Sequence, residues 1–116
     1  MATTREDGER ITLSKLDTSI LVALLDQPLD GYSIARQCEA DSGGVLAISN
    51  GTMYPALNRL KVMHFIHSLG KPLPGPGKPR QAYQITPLGR EVLSWELGRL
   101  QKLVKIASDR TKKPRR

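Results

Sequence analysis

The stretch SNGTMYPALNRL, residues 49–60, has the spacing of an amphipathic helix interrupted by a proline. Apolar positions recur at helical intervals and predict a buried face formed by Met53, Leu57, Leu60 and His64. Pro55 is compatible with a helix near its first turn, where a missing N–H costs least. We therefore predict a helix ending near Met63 whose small polar first residues face outward.

Two helices are predicted before this stretch. Apolar spacing from Leu13 to Leu25 predicts the first, with Ser14 or Asp17 as its N-cap and Pro28 closing it. Asp30 is the predicted cap of the second, GYSIARQCEA, and the DSGG sequence that begins at residue 41 supplies its stop signal. Three short helices in succession favour a helix-turn-helix unit.

The pattern changes after residue 65. FIHSL and RQAYQIT have the character of strands, and the loop between them, residues 70–79, holds four prolines and three glycines. Thr86 and Pro87 then begin a last helix that is predicted to reach about Ala107. The predicted fold is mainly α with a small β-hairpin: a winged helix-turn-helix followed by a dimerisation helix.

This interpretation divides the chain into four parts. They are a flexible arm over residues 1–12, a winged-helix DNA-binding domain over 13–86, a C-terminal dimerisation helix over 87–107 and a basic tail over 108–116.

Composition limits the class of protein. At 116 residues the chain has room for one hydrophobic core, and its low aromatic content of 4% favours helices. The net charge of +7 makes an anionic partner, nucleic acid before a membrane or an acidic protein, the main expectation. The lone Cys38 and the short apolar run of residues 20–25 predict a soluble protein of the cytoplasm that is not exported.

Three motifs resemble the PadR family of bacterial transcriptional regulators. They are Gly31-Tyr32, the string Gly51-Thr52-x-Tyr54-Pro55-Ala56-Leu57-x-x-Leu60, and the string Tyr83-x-Ile85-Thr86-x-x-Gly89. The resemblance implies a homodimeric winged-helix repressor that binds palindromic operators in double-stranded DNA. It also implies that the protein dimerises through its last helix. It also implies release by a small aromatic or cationic amphipathic effector. The chain departs from the family at His64, where a glycine is common, and in its proline-rich wing.

The candidate DNA-binding residues are polar positions around the third helix and the wing. In a helix-turn-helix the reading helix enters the major groove with its N-terminus first, so small polar side chains there can reach base edges. A charge run or an N-cap is also common on a solvated surface, so capping and packing roles stay open. The candidates are Ser49, Asn50, Thr52, Tyr54, Asn58, Arg59, Lys61, Lys78, Arg80, Tyr32 and Arg36.

The last helix has an apolar heptad stripe that predicts a dimer interface. Trp95 flanks the stripe, either as an interface anchor or as the wall of an effector pocket. The stripe and its flank consist of Leu93, Leu97, Leu100, Val104, Ala107 and Trp95.

No enzymatic motif is present in the sequence. His64, His67 and Cys38 lack the spacing of a zinc site, and GPGKP is not a phosphate loop because Pro79 follows the lysine. We expect no catalytic residue, no metal and no cofactor. The alternatives to a DNA-binding repressor are a winged helix that binds an acidic protein partner and a small-molecule binder that has lost its DNA function.

Overall fold

The computed structural model describes residues 12–70 and 80–112. In chain order they form α1 (Lys15–Ala23), β1 (Leu29–Asp30), α2 (Gly31–Asp41), α3 (Asn50–Val62), β2 (Ile66–Ser68), β3 (Ala82–Ile85) and α4 (Pro87–Thr111). The mainly helical winged-helix prediction is confirmed. Residues 1–11 of the predicted arm, the predicted wing tip with Lys78 and residues 113–116 of the predicted basic tail lie outside the described residues.

Local side chains begin three of the helices. Ser14 caps α1 in a capping box with Asp17, in which the Asp17 N–H donates to Ser14 Oγ at 3.0 Å. Asp30 caps α2, and Thr86 caps α4 by accepting the Gly89 N–H at 2.9 Å. Each of these caps was among the sequence predictions.

The sheet contains a strand that the sequence did not indicate. Its order is β1-β3-β2 and both pairings are antiparallel, with Leu29 opposite Tyr83 and Ile66 opposite Ile85. β1 has two residues, too few to show an alternating pattern. It joins the start of α2 to the wing, defined here as β2, β3 and their connection.

A single core lies among α1, α2, α3, the sheet and the first turns of α4. It is built mainly from aliphatic side chains, with Phe65 as its one phenylalanine. Cys38 is buried in it, and burial raises the pKa of this thiol to about 11, which keeps it protonated and unreactive.

Three sequence predictions about helices are wrong in detail. His64, predicted on the inward face of α3, is exposed, and that face contains Ala56 in addition to Met53, Leu57 and Leu60. Pro55 is the sixth residue of α3, beyond the first turn. α4 continues to Thr111 instead of stopping near Ala107, because no helix-breaking residue follows before Pro114.

α3 ends in a left-handed residue. His64 has a φ of 65°, and the next N–H, of Phe65, donates back to the Leu60 carbonyl at 3.0 Å. Thr86 fixes this turn from the side of α4, since its hydroxyl donates to the His64 carbonyl at 2.7 Å and its N–H donates to the Phe65 carbonyl at 3.0 Å.

The left-handed conformation at position 64 predicts that His64→Gly stabilises the protein. Glycine adopts positive φ without the steric penalty of a Cβ, so the free energy of unfolding should rise by about 1 kcal/mol in urea titrations. Met63→Gly is the matched control, because Met63 has a φ of −82° and should be destabilised by glycine. A stabilisation at both positions would contradict the conformational explanation.

Candidate nucleic-acid interface

The predicted reading residues lie together on the exposed side of α3. Met53, Ala56, Leu57 and Leu60 hold the opposite side in the core. The outer side exposes every α3 candidate of the sequence analysis: Ser49, Asn50, Thr52, Tyr54, Asn58, Arg59 and Lys61. The exposed side of α3 is therefore mainly polar, apart from Pro55 and Val62, and carries no acidic residue.

The N-terminus of α3 has no side-chain capping hydrogen bond. Ser49 occupies the N-cap position, but its side chain makes no capping hydrogen bond and instead lies 3.4 Å from the Thr52 hydroxyl. The capping role that the sequence left open for the Ser49 side chain is therefore not observed. Both hydroxyls remain on the exposed surface.

A groove separates α2 from the start of α3. Its volume is about 650 Å³, and Tyr32, Arg36, Ser49 and Asn50 are among its lining residues. The two helices of the helix-turn-helix unit thus present their candidate residues to one shared depression. Residues predicted separately on α2 and α3 are brought together here.

Tyr32 is the centre of a cationic cluster at the start of α2. The guanidinium carbons of Arg80 and Arg36 lie 5.0 and 5.7 Å from its ring centroid, within the range of cation–π attraction. Arg36 also donates to the Tyr32 hydroxyl at 3.2 Å, and this bond raises the pKa of Arg36. The half-exposed ring is thus in contact with two exposed cations.

Asp30 connects the same cluster to the wing. Its carboxylate accepts the Tyr32 N–H at 3.1 Å and the Ser33 hydroxyl at 2.6 Å, and Arg80 approaches it at 3.9 Å. Arg80 precedes β3, so this carboxylate attracts the base of the wing to the N-terminus of α2. Arg80 therefore lies beside α2 at the base of the wing.

Arg59 is held by an ion pair that the sequence did not reveal. Its Nη2 donates to Oδ1 of Asp17, whose other oxygen accepts the Ser14 N–H at 3.2 Å. The Asp17 side chain is 10% exposed and that of Arg59 49% exposed. The pair joins α3 to α1 across 42 residues, a distance at which no local sequence signal exists.

The candidate dimerisation residues divide into two groups along α4. Leu93 is 2% exposed and belongs to the core of its own chain, so its assignment to an interface is corrected. Leu97 and Leu100 are partly buried, whereas Ala107 and Val104 lie on the outer half of the helix, with Val104 68% exposed. Trp95 is 47% exposed on the first half of α4.

The described residues show neither a metal centre nor a membrane span. No group of three or more potential metal ligands occurs in residues 12–70 and 80–112. Among these same residues, no helix is long and apolar enough to cross a membrane.

The helices α1 to α3 and the short antiparallel sheet, with one side of α3 exposed, define a winged helix-turn-helix protein. A sequence model of the "Transcriptional regulator PadR-like family" matches residues 20–95. The chain belongs to this family, whose members are transcriptional regulators and not enzymes.

Solved structures agree with the fold. A transcriptional regulator from Clostridium thermocellum is 26% identical, and the match covers 81% of this chain and 90% of that one with a TM-score of 0.67. The structure of Bacillus subtilis PadR in complex with operator DNA is 25% identical, with 72% and 47% of the two chains covered and a TM-score of 0.63.

A relative from Streptomyces fradiae is an uncharacterized 37.1 kDa protein in transposon TN4556. It is 37% identical over 84 residues, which cover 72% of this chain. The match spans only 22% of that relative's length.

The Asp17–Arg59 pair leads to a prediction about stability. Asp17→Asn and Arg59→Ala should each lower the free energy of unfolding by about 1–2 kcal/mol, since either change leaves a partner without its ion pair. The double variant should lose less than the sum, with a coupling of about 1 kcal/mol in urea titrations.

Asp26→Asn is the control for charge alone. Asp26 is exposed in the α1–β1 connection, and its substitution should change stability by less than about 0.5 kcal/mol. Strictly additive effects of the two single variants would show that the pair does not couple α1 to α3.

Proposed function

We propose that the protein is a sequence-specific regulator that binds double-stranded DNA as a homodimeric repressor of PadR type, acting in the cytoplasm on the nucleoid. The observation that carries this proposal is the exposed face of α3, which is polar, free of acids and opposite a fully buried apolar face. The similar chain of B. subtilis PadR was solved with operator DNA, which supports DNA binding by this chain.

Base contacts are proposed for the first two turns of α3 and for Asn58. Amide side chains at Asn50 and Asn58 match adenine edges, and the methyl group of Thr52 matches that of thymine. Tyr54 and Ser49 flank them on the same exposed side. The contacts would determine the operator sequence.

Phosphate contacts are proposed for the cationic residues around this face. Arg36, Arg80 and Lys61 are exposed, and Tyr32 carries a hydroxyl in the same cluster. Lys78 is proposed as a further wing contact on its charge alone. The role proposed for Arg59 differs, because its guanidinium is oriented by the ion pair with Asp17. Its remaining N–H groups are proposed to donate to guanine or to phosphate.

A homodimer is proposed because no residue in the second half of α4 is fully buried by the part of the chain that the structure describes. No residue after Glu96 in this helix is fully buried. The apolar side chains of Leu103 and Val104 are 53% and 68% exposed. Apolar side chains on an isolated helix gain stability when a second copy covers them. Two copies related by a two-fold axis would place two α3 helices on an inverted repeat.

Effector release is proposed for the surface beside α4. A groove of about 380 Å³ lies between α4 and the turn that follows α1, lined by Leu25, Leu97 and the cationic Arg90 among others. Trp95 adds an exposed ring on α4. Aromatic groups suit such a surface, and a small aromatic or amphipathic molecule is the proposed ligand.

Selection from a random pool of double-stranded DNA at physiological salt tests the main proposal. We expect the purified protein to enrich an inverted repeat whose half-site centres are about 10 bp apart, or a multiple of that spacing. Asn58→Ala should relax preference at single positions, whereas Arg36→Ala should weaken binding to all sequences and reduce the salt slope by about one.

The outcome that would contradict DNA reading is clear. A folded, dimeric protein that enriches no sequence, with or without small aromatic compounds, would favour a winged helix that binds an acidic protein partner. Equal salt slopes for wild type and Arg36→Ala would remove the phosphate contact from α2.

Val104→Asp should dissociate the dimer. A carboxylate within an apolar interface is desolvated without a partner, so we expect a shift to monomer in analytical ultracentrifugation at micromolar concentration. Lys102→Asp places the same carboxylate two residues away, on another side of α4, and should leave the dimer intact. Dissociation by both variants would indicate a general charge effect instead of an interface at Val104.

A further inference from the structure

Gly31, the first residue of α2, leaves room for a side chain of α3. Its φ is not positive, so the backbone conformation does not require glycine. An added Cβ would nevertheless lie 2.9 Å from the hydroxyl oxygen of Tyr54 and 3.0 Å from two of its ring carbons. These distances are shorter than van der Waals contact between heavy atoms, so any side chain at position 31 would displace the Tyr54 ring.

The contact at Gly31 differs from that at Gly89, another crowded glycine. A Cβ on Gly89 would lie 2.1 Å from the Phe65 carbonyl oxygen, which is part of the backbone and cannot turn aside. Tyr54 is 47% exposed, and rotation of its side chain can move the ring into solvent. A side chain at position 31 would therefore cost the fold little, and its main effect would be on the position of Tyr54.

Tyr54 joins the two helices of the helix-turn-helix unit at one end. It belongs to the second turn of α3, and its ring lies against the backbone at the start of α2. Tyr83 of β3 is a neighbour, since burial and, secondly, the nearby Tyr54 phenol raise the pKa of Tyr83. The cationic cluster around Tyr32 lies at the same end of α2. The Tyr54 hydroxyl is thus directed to the end of α2 where exposed cations gather.

The two helices of such a unit contact different parts of a duplex. The second helix enters the major groove, whereas the first crosses the sugar–phosphate backbone. A side chain of α3 that lies against α2 is therefore directed at the backbone beside the groove and away from the base edges. Tyrosine hydroxyls are among the side-chain groups that donate to DNA phosphates.

We propose that Tyr54 donates its hydroxyl to a backbone phosphate of DNA and that Gly31 is the residue that positions it. The absent Cβ at position 31 lets the ring lie against α2, beside cations that attract the same stretch of backbone. This inference rests on the proposed DNA-binding function. It assigns Tyr54 to backbone contact instead of base reading, and it gives a positioning role to a glycine that itself touches no DNA.

Gly31→Ala and Tyr54→Phe test the inference in the whole protein. Each should lower the affinity for the selected operator and for random duplex about 10-fold, because each removes a hydrogen bond to a charged group. Neither variant removes a charge, so the salt slope should stay that of the wild type, unlike the slope of Arg36→Ala. The melting temperature of Gly31→Ala should stay within about 2 °C of the wild type.

The double variant shows whether Gly31 acts through Tyr54. In the Tyr54→Phe background, Gly31→Ala should cause no further loss of affinity, because the donor that it displaces is already absent. Tyr83→Phe is the matched control, since it removes the neighbouring phenol hydroxyl from a residue that is only 8% exposed. This variant should bind DNA with the affinity of the wild type.

Several results would overturn the inference while DNA binding stands. Wild-type affinity in Gly31→Ala or in Tyr54→Phe would remove the phosphate contact. Loss of preference at one base pair, with random-duplex affinity unchanged, would make Tyr54 a base reader. A second 10-fold loss in the double variant, or a fall of more than about 5 °C in the melting temperature of Gly31→Ala, would make Gly31 a structural glycine. If the wild type binds no DNA, the proposed function fails and the inference fails with it.

Discussion

The fold depends on the close approach of the α4 start to the turn that follows α3. Gly89 lies so near the Phe65 carbonyl that any side chain there would collide with the backbone, and Thr86 closes the junction with hydrogen bonds to the same turn. The end of α3, the beginning of the wing and the beginning of α4 are thereby fixed as one unit.

Two aspartates join local and tertiary structure in the same manner. Asp17 completes the capping box of α1 and also holds Arg59 of α3, while Asp30 caps α2 and attracts Arg80 at the base of the wing. Each carboxylate is mostly buried whereas its partner cation is about half exposed, so these ion pairs orient the cations more than they stabilise the fold. Arg59 and Arg80 are thus oriented structural cations as well as candidate DNA contacts, which their charge alone does not indicate.

The predictions from sequence succeeded where the determining chemistry is local. Helix caps at Asp30 and Thr86 act within a few residues, and so does the apolar spacing of α3, which explains why these elements were found. The inward position predicted for His64 is wrong because α3 ends at Val62 and His64 itself is left-handed. Helical spacing in the sequence does not show where the helix ends. Leu93 belongs to an apolar stripe that the domain and the outer half of α4 share, and spacing does not tell which residues the domain covers.

The sequence by itself determined the class of the protein: short amphipathic helices, a hairpin signal, a net positive charge and three motifs that identify a PadR-like regulator. Only the tertiary structure decided the pairing of Asp17 with Arg59, the gathering of Arg36 and Arg80 around Tyr32, and the addition of β1 to the sheet. The physical reason is the separation along the chain between the residues that interact. Caps and periodicity act between neighbours in the chain, whereas ion pairs and sheet register depend on how distant segments meet when the core is buried.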